Sequence, residues 1–237
     1  MKRSVQVLAA LVSAAAVSAF GVSGALADGH TSLKDAPAPR HTAKWTGFYV
    51  GGQAGWIGTE ADWTFQPGGT NPAGNPFEND AGLFGGVVGY QHQLGFLVLG
   101  IEGTFSGLLD GDSSSACPNA AFQCTVDVHS IATVGGRIGA AIGSFMPYFT
   151  GGYAHANYET ETNNGALVDP VDADADGFYV GGGIDWMPVN NLVFGIEYRH
   201  YDFDTEFSTS ERVPGVDDRT IDLDADSVTA RVTFLLK

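Results

Sequence analysis

The apolar and polar positions of the chain alternate along most of its length, as they do in β-strands. From residue 45 onwards, apolar side chains alternate with glycine or polar residues in eight short runs. The runs are 45–56, 83–93, 96–107, 126–142, 146–158, 176–187, 192–201 and 226–237. In the third run, for example, Leu99, Ile101 and Phe105 lie opposite Glu102 and Thr104. Most runs have the roughly 9 to 12 residues that a tilted strand needs to cross a bilayer.

The connections between these runs alternate between short and long. Three are short: Leu94-Gly95, residues 143–145 and residues 188–191. The other four are long and span about 58–82, 107–125, 159–176 and 202–225. This asymmetry predicts an all-β fold, an eight-stranded antiparallel up-and-down transmembrane β-barrel with short periplasmic turns and long extracellular loops. A soluble, secreted lipocalin-like ligand-binding barrel is the alternative, because it would alternate in the same way with its apolar face inside.

The first residues have the pattern of a secretory signal peptide. Lys2 and Arg3 precede an apolar run from Val5 to Phe20, and an Ala-Leu-Ala cleavage site ends at residue 27. We therefore predict a signal peptide at 1–27, a periplasmic linker at 28–44 that contains Pro-Ala-Pro-Arg, and the barrel at 45–237. No later stretch has the 18 or more apolar residues of a membrane-spanning helix.

The charge of the chain excludes one class of partner and marks one end of the predicted barrel. The 237 residues carry 11 Lys and Arg against 27 Asp and Glu, a formal charge of -16. Such a surface argues against nucleic-acid binding, which needs cations to neutralise phosphates. About 21 of the 27 carboxylates lie in the four long connections or the adjoining strand ends. The acidity is therefore expected on the extracellular surface.

The few charges inside the strands lie on the glycine-rich face. A face with so few charges suits a narrow, confined lumen better than a solvated surface. Counted from the short-turn end of each strand, most of them share one height, so paired Arg and carboxylate groups are expected there. The predicted lumen charge network consists of Glu102, Arg137, Asp185, Glu197, Arg199 and Arg231, with Asp185 nearer the periplasmic end. Asp127 and His129 are expected on the same face, higher in the lumen.

Several segments, in order, resemble those of a known family. TGFYVGGQAGW, FGGVVGYQHQ, GIEGTFS, RIGAAI, PYFTGGYAHA and GIEYRHYDF are similar to the small, porin-like outer-membrane β-barrel proteins of alphaproteobacteria, which are related to the OmpA-like transmembrane domain. The resemblance covers nearly all of the chain after residue 44. It implies a monomeric barrel in the outer membrane of a Gram-negative cell, in contact with outer-membrane lipid and lipopolysaccharide. It also implies insertion by the barrel-assembly machinery, which usually recognises a terminal aromatic residue, whereas this chain ends Phe-Leu-Leu-Lys.

Two motifs outside the strands carry candidate chemistry. Asp172, Asp174 and Asp176, followed by Gly177, imitate the start of a calcium loop, but Gly183 stands where the loop needs Glu. They are weak metal candidates, and loose binding of divalent cations by the acidic loops is the stronger expectation. Cys117 and Cys124 are the only cysteines, and in an exported protein we expect them to form a disulfide.

No motif predicts catalysis. The six histidines lack metal-ligand spacing, and no Ser/His/acid arrangement stands out for a lipid-modifying enzyme. We therefore expect a structural barrel that exposes acidic loops, with no enzyme activity and no cofactor. Small-solute porin-like conduction, and a receptor or adhesin that binds a ligand such as haem through its loops, remain open alternatives.

Overall fold

In the computed structural model, the part of the chain that can be described is built from β-strands. It comprises residues 43–66, 77–109, 112–116, 123–163, 168–208 and 218–236. The strands are β1 (Gly47–Gln66), β2 (Phe77–Leu94), β3 (Leu97–Leu109), β4 (Asp112–Ala116), β5 (Gln123–Ala140), β6 (Phe145–Asn163), β7 (Val168–Val189), β8 (Leu192–Ser208) and β9 (Asp218–Leu236). No helix in these ranges is long and apolar enough to cross a membrane. The predicted signal peptide and all but the last two residues of the predicted linker lie outside them.

The strands close into a barrel. Each pairs antiparallel with its neighbours in the order β3, β2, β1, β9, β8, β7, β6, β5, and β5 pairs back onto β3. The short β4 continues the line of β3, because β5 pairs with β3 as far as Gly107↔Ser130 and with β4 from Asp112↔Asp127 onwards. The barrel therefore has eight strand positions, and the predicted eight-stranded up-and-down barrel is confirmed.

The apolar side chains of the strands point outward over the middle of the barrel. Ile101, Val134 and Ile196 are 60% or more exposed. Aromatic side chains lie at both edges of this belt. At the short-turn edge are Phe48, Phe96, Phe145, Trp186 and Phe194, and at the other edge are Trp56, Phe84, Phe105, Tyr153, Phe178 and Tyr198. An apolar outer belt between two aromatic girdles fits a bilayer, whereas a lipocalin-like barrel would bury these residues.

The three short turns lie at one end, as the sequence predicts. Gly95 and Gly143 take positive φ angles of 65° and 64° there. Asn191 takes φ 77° in the turn between β7 and β8. Glycine and asparagine are the residues that adopt this left-handed conformation most easily, so they allow the tight turns.

The strands extend further than the sequence pattern predicts. Much of the chain assigned to long loops is strand, including 58–66, 168–176 and 218–225. Where side chains of these extensions are described, the polarity of the wall is reversed at 223–225: Leu223 and Ala225 are buried inside, whereas Asp224 is exposed. The carboxylates made these stretches look like loops, but the strands continue the barrel wall beyond the aromatic girdle, and the outward Asp224 alternates with the inward Leu223 and Ala225.

The interior is filled in three layers. A lower apolar cluster near the short turns contains Trp45, Tyr49, Val87, Val98, Met146, Tyr148, Met187, Val193 and Leu235, among others. An upper apolar cluster contains Ile57, Leu83, Val128, Ile131, Ala154, Tyr158, Tyr179, Tyr201, Phe203 and Leu223, among others. Buried polar and charged side chains lie between the two.

One predicted strand face is wrong. The register of β5 against β6 shifts between Val128 and Ser130, which is a β-bulge. As a result Val128 is buried inside and not on the outer face, whereas His129 is exposed and not in the upper lumen. Asp127 contacts His129, Nδ1 to Oδ2 3.6 Å, on the same outer surface. Strict alternation cannot reveal a bulge, because one extra residue reverses the faces on one side of it.

Among the residues that the structure describes, two ladders of the wall end before the extracellular ends of their strands. Pairing of β7 with β8 ends at Gly177↔Phe203, although both strands continue beyond it. Pairing of β2 with β3 ends at Gly82↔Leu109, and no ladder joins β2 to β4. Beyond these points the described strands form two groups of four, β8–β9–β1–β2 and β4–β5–β6–β7.

Candidate functional site

Glu102 is the centre of the charged layer. It lies on β3, with its side chain 1% exposed, and it contacts all three arginines of the layer. One oxygen, Oε1, accepts from Nη2 of Arg199 at 2.8 Å and from Nη1 of Arg231 at 3.2 Å. The other, Oε2, accepts from Nη2 of Arg231 and from Nη1 of Arg137, the latter at 3.4 Å. The Glu102 carboxylate therefore links β3 to β5, β8 and β9.

The other two carboxylates complete the pairing of these arginines. Glu197 lies 2.6 Å from Nε of Arg199 and 2.9 Å from Nη1 of Arg231. Asp185 lies 2.7 Å from Nη2 of Arg137. The structure thus brings together all six residues that the sequence assigns to the lumen, with side chains between 1 and 4% exposed.

Tyrosines frame the charged layer, and the sequence pattern did not assign them a role. The hydroxyl of Tyr49 donates to Glu102 at 2.8 Å, and that of Tyr148 donates to Glu197 at 2.8 Å. The guanidinium of Arg137 lies 3.8 Å from the centre of the Tyr148 ring, which is a cation–π contact. Tyr148 lies in the fifth run, 146–158, where the alternation does not show which face points inward. A tyrosine has an apolar body and a polar tip, and here it links the apolar layers to the charges.

The charged layer is balanced. It contains three arginines and three carboxylates. Asp127, which the sequence also predicts in the lumen, lies on the outer surface and adds no negative charge to the layer. Buried charges are tolerated when they are paired and hydrogen-bonded, and each of these six groups has at least one oppositely charged partner. The pairing does not satisfy every atom, since Nε of Arg137, Nε of Arg231 and Oδ1 of Asp185 are buried without a hydrogen-bond partner in the described part of the chain. Chemically the layer can hold strands together and block the lumen. Each of the four described histidines, at 92, 129, 155 and 200, lies on the outer wall, so none is available to the lumen as an acid or base.

A second polar feature lies on the outer wall, just beyond the aromatic girdle. On β6 and β7, the Tyr153 hydroxyl donates to Asp176, and Nδ1 of His155 lies 2.6 Å from the same carboxylate oxygen. These two contacts hold the pKa of Asp176 below its ordinary value, the Tyr153 hydrogen bond being the larger cause. Both contacts therefore favour the ionised form of the Asp176 carboxyl.

The same arrangement recurs on β8 and β9. The Tyr198 hydroxyl donates to Asp226 at 2.6 Å, and Nδ1 of His200 lies 2.9 Å from that carboxylate. In each case Tyr-X-His on one strand meets an aspartate on the next.

The weak metal candidates are not assembled into a calcium loop. Residues 172–177 lie within β7, with Asp174 and Asp176 exposed on one face of the strand. The side chain of Asp172 is outside the described part. Where side chains are described, no three His, Cys, Asp or Glu groups are close enough to hold a metal ion. Cys117 also lies outside the described residues, and the Cys117–Cys124 disulfide stays a prediction.

A closed barrel with an apolar belt, two aromatic girdles and a charged lumen defines an outer-membrane β-barrel protein. The model of the outer membrane protein beta-barrel domain family matches residues 7–234, and this chain belongs to that family. It is located in the outer membrane of a Gram-negative cell. The 31 kDa outer-membrane immunogenic protein of Brucella melitensis is 31% identical over 197 residues, which cover 77% of this chain and 82% of that protein.

Two solved structures are similar in overall form. Ail, the attachment invasion locus protein of Yersinia pestis, is 13% identical, with 80% of this chain and 99% of that chain covered and a TM-score of 0.44. The outer membrane protease OmpT from Escherichia coli is 8% identical, with 80% and 97% covered and a TM-score of 0.47.

Proposed function

We propose that this protein is a structural, non-catalytic component of the outer membrane whose barrel is closed to solutes and exposes an acidic surface to the exterior. The observation that carries the proposal is the filling of the lumen by a neutral layer of six paired charges between two apolar clusters. A barrel of about eight strands has an interior that side chains can fill, whereas open diffusion pores have about 16 strands.

The ion pairs within the lumen support a barrel closed to solutes more strongly than the narrow width of an eight-stranded barrel does. To pass a solute, the arginines would have to leave carboxylates that are almost fully buried, and a buried charge without its partner costs several kcal/mol. The absence of catalysis is supported by the same geometry, since the charged groups of the lumen are occupied by one another.

Planar-bilayer recording on the purified, refolded protein tests closure. We expect no unit conductance at moderate voltage in monovalent salt. The double variant Glu102→Ala with Glu197→Ala, which removes two of the three carboxylates, serves as the control and is expected to raise the baseline current. A reproducible single-channel step in the unmodified protein would overturn the proposal. An altered lipid A mass spectrum on deletion of the gene would overturn its non-catalytic part.

A further inference from the structure

One patch of the outer wall combines an exposed aromatic ring with two carboxylates at the extracellular edge of the apolar belt. Trp56 on β1 belongs to the aromatic girdle at this edge and is 74% exposed. Two residues further out on the same face of β1 is Gly58, which pairs with Asp226 of β9 on one side and with Asp80 of β2 on the other. These four residues form the outer-wall patch. Because it begins at the girdle, it faces the headgroups of the outer lipid layer.

Gly58 leaves a gap between the two carboxylates of the patch. A Cβ at this position would lie 3.1 Å from Oδ1 of Asp80, so the Asp80 side chain extends over the glycine, on the side toward Asp226. Asp80 is exposed, and the side chain of Asp226 is 41% exposed. A ligand over Gly58 can therefore reach both carboxylates.

The patch carries negative charge. Asp226 is oriented by β8, since the Tyr198 hydroxyl and Nδ1 of His200 both contact its Oδ1, at 2.6 and 2.9 Å. An ionised carboxylate accepts at about four positions, so Asp226 can accept from a further donor. Two carboxylates outnumber the one imidazole, even when His200 is protonated. Among the described side chains on the outward face of β8, β9, β1 and β2 there is no lysine or arginine.

The wall on the membrane side of the patch forms a shallow track. Ala54 on β1 and Ala230 on β9 are direct neighbours, and both are exposed on the outer face. Ile196 pairs with Ala230 on one side, and Phe84 pairs with Ala54 on the other, and these large side chains are 60% and 51% exposed. Gly52 extends the low floor further into the belt. An acyl chain that lies on this floor contacts protein atoms below it and on both sides.

We propose that the outer-wall patch binds a membrane lipid whose headgroup carries an ammonium group. The ammonium group lies over Gly58, between the carboxylates of Asp80 and Asp226 and against the indole of Trp56, where ion pairs and a cation–π contact both favour a cation. One acyl chain of the same lipid lies on the floor that Ala54 begins.

The position and the charge of the patch select this occupant. A lipid is favoured over a soluble cation because the patch is continuous with the lipid-facing belt. A headgroup that carries only phosphate is disfavoured, because it would bring negative charge to two carboxylates. The inference goes beyond the closed structural barrel and does not depend on it, since the patch lies outside the lumen.

Native mass spectrometry of the full-length protein, refolded in non-ionic detergent, tests this site. The probes are dioleoyl phosphatidylethanolamine and dioleoyl phosphatidylglycerol, which share their acyl chains and phosphate and differ in the ammonium group. We expect saturable retention of phosphatidylethanolamine, with an affinity at least tenfold higher than that of phosphatidylglycerol. Equal retention of the two lipids would overturn the proposal.

A pair of double variants locates the binding. Asp80→Asn with Asp226→Asn should weaken the binding of phosphatidylethanolamine about tenfold, because it removes both carboxylates of the patch. The matched control is Asp127→Asn with Glu159→Gln, which removes the same charge from residues that contact His129 on β5 and β6, on the opposite side of the barrel. It should change the affinity less than twofold. Equal weakening by the two double variants would contradict the assigned site.

Two further measurements separate this site from simple charge attraction. Gly58→Leu fills the gap without changing the charge and should weaken the binding of phosphatidylethanolamine at least fivefold. Glycerophosphoethanolamine, which is the headgroup without acyl chains, should not displace the bound lipid at equal concentration. Unchanged binding to Gly58→Leu, or displacement by the headgroup alone, would each overturn the proposal. Heat-modifiable gel mobility establishes that each variant is folded, and Asp80→Asn alone replaces the double variant if the latter does not fold.

Discussion

Arg137 on β5 and Asp185 on β7 form an ion pair of 2.7 Å across the lumen, although β6 lies between their strands. The pair is therefore a tertiary connection that no backbone ladder provides. Arg137 also reaches Glu102, so the contact is one end of a network that extends across the barrel.

Breaking this pair should cost more stability than replacing it. We expect Arg137→Ala to lower the free energy of unfolding by about 3–5 kcal/mol, because it leaves Asp185 buried without its partner. The double variant Arg137→Met with Asp185→Leu should recover much of that loss, since it buries no unpaired charge. Urea unfolding in lipid vesicles, followed by tryptophan fluorescence, measures both. Equal stability of Arg137→Ala and the unmodified protein would contradict the role given to the network.

Adjacent glycines on β5 should respond differently to alanine. A Cβ on Gly135 would lie 2.4 Å from the carbonyl oxygen of Gly151 and 2.5 Å from the Tyr179 hydroxyl. A Cβ on Gly136 meets nothing nearer than 3.9 Å. Gly135→Ala should therefore destabilise the barrel by about 1–3 kcal/mol through overpacking, and Gly136→Ala, the matched control, should be nearly neutral. Comparable urea midpoints for the two variants would show that the inward face is not tightly packed.

The position of the membrane can be tested by placing a charge on the outer wall. Ile101 is 66% exposed in the middle of the apolar belt. Ile101→Arg should lower the free energy of unfolding in vesicles by about 2–4 kcal/mol, because it places a cation near the bilayer centre. Glu60→Arg, on the outward face beyond the girdle, should change it little. A larger loss of stability for Glu60→Arg than for Ile101→Arg in the same unfolding assay would show that the bilayer does not surround Ile101.

The outer-wall aspartate should titrate abnormally. The hydrogen bond from Tyr153 is the main cause of the lowered pKa of Asp176, so Tyr153→Phe should raise that pKa toward its ordinary value of 3.8. A carboxyl with a lowered folded-state pKa contributes stability above its unfolded pKa and loses this contribution as the pH falls through the folded pKa. In Tyr153→Phe, the contribution of the Asp176 carboxylate to the free energy of unfolding should therefore be lost at a higher pH than in the unmodified protein. NMR titration of the Asp176 carboxyl checks this, with Tyr198→Phe as the control that should leave Asp176 unchanged.

The predicted disulfide has a direct mass test. If Cys117 and Cys124 are joined, alkylation should add mass only after reduction. Loss of the bond should lower the free energy of unfolding by about 2–3 kcal/mol, because the disulfide closes a short loop and so restricts the unfolded chain. Alkylation of both cysteines without reductant would disprove the bond.

The sequence pattern was a good guide where alternation is uninterrupted. It predicted eight strand positions, the apolar outer face and the short turns, since each depends on the two-residue period of a strand and on local turn residues. It was wrong for Val128 and His129 because a bulge shifts the period. It also assigned the acidic strand extensions to loops, because outward carboxylates such as Asp224 hide the inward apolar positions beside them, Leu223 and Ala225.

The sequence by itself determined the barrel class, its membrane belt and the charged residues of its inner face, because these follow from which side chains share a face. Only the tertiary structure decided which charges meet, since strand stagger sets the height of each side chain. It alone placed Tyr148 among them. Those features depend on register between strands that are distant in the chain, and no local pattern encodes it.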